Sequence, residues 1–160
     1  MNELCSKMEI VFTKGEKRNT LTCKRQDGSI TSVSLGPNLP NHDFAHFIVE
    51  NKFKLEKGFF GNIKSGKAIS ELSEPDSIRD LPPEAWLSEI LARNLQSLRS
   101  GALVLGQFAE IVKWESEKII GIEVPEINFE DVSEMKRDFD SLCEQWGLIL
   151  ENEEMKLLFK

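Results

Sequence analysis

The chain has 160 residues, of which 40% are hydrophobic and 29% are charged, and this balance is typical of a single globular domain covering residues 1–160. It has no apolar run of the roughly 18 residues that a membrane-spanning helix requires, so we expect no membrane-spanning segment. The formal net charge of −7 argues against nucleic-acid binding, because phosphate recognition requires a basic surface.

The N-terminal residues and the cysteines predict a cytoplasmic protein. Residues 1–7 contain no basic segment followed by an apolar one, so a secretory signal is not expected. Cys5, Cys23 and Cys143 are odd in number and far apart, which favours reduced thiols over a disulfide framework or a zinc knuckle.

The first part of the chain predicts three antiparallel strands. In residues 8–13 the apolar side chains alternate, which places them on one side of a strand. Residues 20–24 and 30–35 are rich in β-branched side chains, which are typical of strands. Residues 14–17 form the first turn, and the three strands together predict a meander.

The second turn of this meander is predicted from Asp27 and Gly28. A two-residue turn of type I′ requires positive φ angles, which glycine adopts without steric cost. A two-residue turn at this place would pair Thr22 with Val33.

Helical periodicity dominates the rest of the chain. Asn41 is predicted to cap the first helix, which runs to about Lys57 and is stopped by Gly58. Further helices are predicted over residues 58–65, 83–100, 103–118 and 128–146, with a surface connection over residues 67–82 and a short C-terminal strand within residues 151–159. The prediction is an α+β fold, in which a small antiparallel sheet (the N-terminal three-stranded meander plus the C-terminal strand) packs against four to five helices.

Both histidines of the protein lie on the first predicted helix. His42 and His46 are four residues apart, and Glu50 follows after four more, so that these side chains lie about 40° and 80° from the first one around the helix. Two imidazoles at this spacing can bind one zinc or other divalent ion from one side. His42, His46 and Glu50 are therefore the candidate metal ligands, and Asp43, on the same arc, is the candidate catalytic base.

The pattern His42-Asp43-x-x-His46 is similar to the H-E-x-x-H motif of zinc peptidases but has aspartate in place of glutamate. The shorter side chain would fall short of the usual position of a metal-bound water by about one C–C bond. The third ligand also stays open, because Glu50 lies about 12 Å from His42 along the helix axis. Other candidates for it are Glu89, Glu110, Cys23 and the carboxylates of residues 71–76.

The histidine pattern has a competing interpretation. Histidines on a mostly apolar helix are commonly buried residues that bond to a carbonyl or carboxylate, and they then have no functional role. The function that we expect first is therefore an acidic protein-interaction module with an exposed aromatic such as Trp86 or Trp114. The alternative is a divalent-metal-binding protein or a metal-dependent hydrolase.

One stretch of the chain is similar to a known group of proteins. The run Leu39-Pro40-x-His42-Asp43-x-x-His46-Phe47-x-Val49-Glu50, followed by Gly58-Phe59-Phe60-Gly61, resembles a stretch of small uncharacterised bacterial proteins. The resemblance implies a bacterial origin and a shared fold, and it implies no particular reaction.

Overall fold

Four strands and six α-helices make up residues 7–73 and 80–160, the part of the chain that the computed structural model describes. The strands are β1 (Met8–Thr13), β2 (Asn19–Lys24), β3 (Ile30–Gly36) and β4 (Glu154–Phe159). The helices are α1 (Asn41–Phe53), α2 (Phe59–Lys64), α3 (Ile69–Ser73), α4 (Pro83–Ser100), α5 (Phe108–Ser116) and α6 (Phe129–Leu148), with a short 3-10 helix at Leu105–Gln107.

The strands form one antiparallel sheet in the order β3-β2-β1-β4. This order confirms the N-terminal meander and the C-terminal strand. β4 pairs with the edge of β1 that faces away from β2, with Met8 opposite Phe159. The α+β fold predicted from the sequence is therefore confirmed.

The predicted register of the second hairpin was wrong by one residue, since Thr22 pairs with Ser32 and not with Val33. The loop has three residues, because Gly28 N–H donates to the carbonyl of Arg25 and Gly28 then adopts a φ of 91°. Asp27 Oδ1 accepts a hydrogen bond from Ser29 N–H at 2.8 Å, which holds the longer loop in place.

The sheet and the helices meet through aromatic side chains. The ring of Phe12 on β1 lies 4.8 Å from that of Phe44 on α1, in an edge-to-face arrangement, and 6.5 Å from that of Trp146 on α6. Both phenylalanines are fully buried. Rings in such contacts contribute more than their buried area alone, so they fix α1 against the sheet.

Helix α1 is shorter than predicted. The expected end near Lys57 was wrong, because Lys54 adopts a left-handed conformation (φ 53°) and closes the helix. The turn brings Leu55, which is only 6% exposed, back into the core. At the other end Pro40 takes the cap position predicted for Asn41, which is instead the first helical residue.

The remaining helices follow the sequence pattern closely. α4 begins at Pro83, whose fixed φ suits a first helical turn, and Gly101 ends it with a φ of 84°. Asn128 caps α6 as predicted, because its Oδ1 accepts from Asp131 N–H at 2.8 Å. The helix expected over residues 103–118 forms as the 3-10 turn followed by α5.

None of the described helices is both long and apolar enough to span a bilayer. Several sequence predictions concern residues outside the described ranges: the N-terminal segment with Cys5, residues 74–79 of the surface connection, and within these the candidate ligands Glu74 and Asp76. For the site, the decisive packing is that of α1 against α4, with α2 against the end of α1.

Candidate metal centre

Packing of α1 on α4 brings one carboxylate to the two histidines. Glu89 Oε2 on α4 lies 3.2 Å from Nε2 of His42 and 2.9 Å from Nε2 of His46. The two Nε2 atoms lie 3.2 Å from each other, with the rings nearly perpendicular at 87°. His42, His46 and Glu89 thus form the cluster, among the described residues, that could hold a metal ion.

The three atoms form a triangle of the size that a metal ion requires. An ion about 2.05 Å from each, the usual zinc–nitrogen distance, would lie about 1 Å above the plane of the triangle. Pairs of ligand atoms would then subtend about 90° to 103° at the ion, between octahedral and tetrahedral values. The three atoms would therefore form one face of the ion's coordination sphere and would leave the opposite positions for water or another ligand.

When a ring is neutral, the hydrogen bond on its far side decides which nitrogen carries the proton. His42 Nδ1 lies 2.7 Å from Gln96 Oε1, which can only accept, so this nitrogen is the donor. His46 Nδ1 lies 2.8 Å from Ser88 Oγ, whose own hydrogen is donated to Glu50 Oε2 at 2.7 Å. His46 Nδ1 is therefore also a donor, and each neutral ring directs an Nε2 lone pair into the cluster.

The interior of the cluster consequently contains three hydrogen-bond acceptors. Two imidazole lone pairs and the Glu89 carboxylate oxygen face one another within 3.2 Å. Acceptors at such distances repel each other unless a cation lies between them, and this cation is either a proton or a metal ion.

The protons of the metal-free cluster are held tightly. Burial lowers the pKa of His46, but its hydrogen bonds with Glu50 and Glu89 outweigh burial and raise that pKa to about 9. The bond to Glu89 raises the pKa of His42. The same hydrogen bonds, that to His42 more than that to His46, hold the pKa of Glu89 well below its usual range. A metal ion must displace these protons, so its affinity should rise with pH.

Glu50 lies on the Nδ1 side of His46, away from the three acceptors. Its Oε2 is 3.2 Å from His46 Nδ1 and accepts from Phe59 N–H at 2.7 Å, while its Oε1 accepts from Gly61 N–H at 3.0 Å. A Cβ added at Gly58 would lie only 2.4 Å from the Glu50 carboxyl carbon. The glycines around the paired phenylalanines thus let the start of α2 close around this buried carboxylate.

Asp43 lies near the cluster but outside the three-atom set. Burial raises the pKa of its carboxyl group, and both histidines exert an opposing effect. It makes no side-chain hydrogen bond to another described residue. An uncommitted carboxyl group beside two imidazoles keeps the sequence-based role of proton acceptor open.

The other third-ligand candidates lie apart from the cluster. Glu71 and Glu110 have exposed side chains and belong to no group of ligand atoms in the described ranges. Cys23 is fully buried in β2, and burial raises the pKa of its thiol to about 12, which disfavours the thiolate that a metal would need.

Sequence reasoning named Glu89 among several carboxylates but missed Ser88 and Gln96. Ser88 is a polar residue with no exposed surface within the apolar stripe of α4. Gln96 follows Glu89 by seven residues, which on a helix is the same side. A polar residue in the apolar stripe of α4, and a second one on the same side as Glu89, were the sequence signals that could have indicated these two hydrogen-bond partners.

No protein-family model matches the chain, and no curated protein or solved structure matches it either. The resemblance of residues 39–61 to small bacterial proteins therefore stays a prediction.

Proposed function

We propose that the protein binds a divalent transition-metal ion through His42 Nε2, His46 Nε2 and Glu89 Oε2. The observation that carries this proposal is the convergence of His42 Nε2, His46 Nε2 and Glu89 Oε2 within 3.2 Å, while the Nδ1 atom of each ring bonds to another side chain on its far side. Without a metal ion, a proton must lie between these three atoms, and a metal ion would replace it.

The donor set indicates the kind of ion. Two imidazoles and a carboxylate suit zinc, iron(II) or manganese(II), whereas calcium and magnesium prefer oxygen ligands only. Three protein ligands leave at least one coordination position free, as in zinc sites that activate water. Hydrolysis with Asp43 as base is the reaction class that this arrangement would support.

Metal binding is tested by elemental analysis of protein that has been stripped with a chelator, reloaded separately with zinc, manganese or iron(II), and dialysed. We expect about one ion per chain, with the ion lost in His42→Ala and Glu89→Ala. Glu110→Ala is the matched control, since its carboxylate is exposed and lies outside the cluster. A wild-type protein that retains none of the three ions at micromolar concentration would refute the proposal.

The hydrolase role has a separate test. Asp43→Asn should keep the metal content of the wild type, because Asp43 is not one of the three ligands. If Asp43 is the base, this variant should lose hydrolysis of model esters or peptides although it still binds the ion. Equal activity in the two proteins would remove Asp43 from the mechanism.

Protein interaction remains a second proposal, and the exposure of one aromatic favours it. The Trp114 side chain is 67% exposed, and large exposed aromatics frequently mark contact sites. A photo-crosslinking residue placed at position 114 should form one discrete adduct with a partner protein. The same residue placed at the exposed position of Arg137 should form no such adduct. Equal, diffuse labelling at both positions would argue against a contact site.

A further inference from the structure

A cavity of about 340 Å³ adjoins the cluster. His46 and Glu89, two of the three proposed metal ligands, form part of its wall. The rest of the wall is predominantly apolar. Its apolar side chains come from α2, α3, α4 and the residue Leu81 just before α4: Phe59, Leu72, Leu81, Ala85 and Trp86. The proposed metal site and an apolar cavity thus share the same side chains.

The cluster is also accessible from the solvent. The side chains of His42 and Glu89 are 45% and 44% exposed, whereas that of His46 is 6% exposed. The ion would therefore lie at a boundary, with water on the His42 side and the apolar cavity on the His46 side.

We propose that the cavity binds the apolar part of a small ligand whose oxygen head group coordinates the metal. This inference rests on the proposed function, because the head group needs the ion. Ligand pockets typically combine an apolar wall with a few polar groups that fix orientation, and here the ion would be that group.

Two polar side chains of the wall, His46 and Asn62, support this orientation because they are already hydrogen-bonded elsewhere. Nδ1 of His46 is taken up by Ser88 and Glu50. The side-chain amide of Asn62 donates to the carbonyls of Lys57 and Gly58. A ligand in the cavity would find its strongest polar partner at the metal, so the apolar part would extend away from it.

The size of the cavity limits the ligand. At about 30 Å³ for each water-sized group, 340 Å³ holds about eleven such groups, at the small end of ligand pockets. A head group with an unbranched chain of about six carbons fits, whereas a peptide of several residues does not. The class is therefore a small amphiphile with a carboxylate, hydroxamate or carbonyl oxygen.

The experiment compares the binding of acetohydroxamate and hexanohydroxamate to the 160-residue chain by calorimetric titration. The buffer keeps the free zinc concentration above the dissociation constant of the site. Zinc content is measured first. Each buried methylene contributes at most about fourfold in affinity, so we expect the longer probe to bind at least tenfold more tightly. Metal-free protein should bind neither probe measurably.

Ala85→Phe fills the cavity without changing a ligand atom, so it should retain zinc and abolish the chain-length preference. The matched control is Ala102→Phe, because Ala102 is exposed and lies outside the cavity wall. This control variant should keep the chain-length preference. If Ala85→Phe does not fold, Trp86→Ala removes wall area and should reduce the preference by at least threefold. Zinc binding without a chain-length preference overturns this inference alone, and so does a preference that survives both variants. Absence of zinc overturns the proposed function with it.

Discussion

Replacing Glu50 by glutamine tests whether this buried carboxylate organises the site. Its two oxygens accept four hydrogen bonds, from His46 Nδ1, Ser88 Oγ and the backbone N–H groups of Phe59 and Gly61. Glutamine keeps one acceptor oxygen and adds a donor. The least costly orientation keeps the oxygen toward Ser88 and Phe59, so the amide NH₂ faces the N–H of Gly61 and that bond is lost.

The magnitude follows from these bonds. A hydrogen bond to a charged acceptor contributes about 1.5–3 kcal/mol, and the three remaining bonds weaken because their acceptor becomes neutral. Relief from burying the charge offsets part of this loss. We expect Glu50→Gln to lower the free energy of unfolding by about 2–4 kcal/mol and to weaken metal affinity about 10- to 100-fold, because the His46 ring is no longer held in place.

The assay is urea unfolding at pH 7 with a chelator present, followed by metal titration of the folded variant. Glu134→Gln is the matched control, since the Glu134 carboxylate is 40% exposed and pairs with Lys52 at the surface, where such pairs contribute less than about 1 kcal/mol. If Glu50→Gln were no more destabilising than this control, the carboxylate would not organise the site.

Three further predictions concern a close glycine contact, the titration of His46 and a buried thiol. Gly58→Ala should cost about 1–3 kcal/mol, because its Cβ would lie 2.4 Å from the Glu50 carboxyl carbon, whereas Gly147→Ala, with open space around it in α6, should stabilise by up to about 1 kcal/mol in the same unfolding assay. The pKa of His46 is raised from 6.5 to about 9 on folding, so its contribution to the stability of the metal-free protein, on the order of 3 kcal/mol, is complete below pH 6.5 and lost as the pH rises through 9. Urea midpoints that stay constant between pH 6 and 10 would contradict this. Cys23 should resist a thiol reagent in the native state and react only on unfolding, as followed by mass spectrometry of the labelled peptide, because burial raises its pKa to about 12.

Short-range patterns accounted for most of the fold. The alternation in residues 8–13 and the capping signals at Asn128 depend on neighbours in sequence, and both features formed as predicted. The hairpin register failed because Asp27-Gly28 is compatible with two loop lengths. The Asp27 side chain decided between them by bonding to Ser29 N–H, a contact that a two-residue turn signal does not include.

The candidate site was predictable only where a single helix carries it. His42 and His46 lie four residues apart on α1, and that spacing alone brings their rings within 4.7 Å. The partner carboxylate depends on how α1 lies on α4, which local sequence does not encode, so Glu89 could not be distinguished from Glu110. Glu50 shares the histidine stripe, but it lies beyond His46 and bonds to the opposite nitrogen of that ring.

This arrangement makes the site and the fold interdependent. Glu50 on α1 accepts from the start of α2 and from Ser88 on α4, so the same carboxylate that orients His46 also joins three helices. Substitution of His46 or Glu50 should therefore change stability and metal binding together. Glu89 differs, because its side chain is 44% exposed and, within the described ranges, bonds only to the two rings. A Glu89→Ala protein that folds but binds no ion would assign metal binding to the cluster itself.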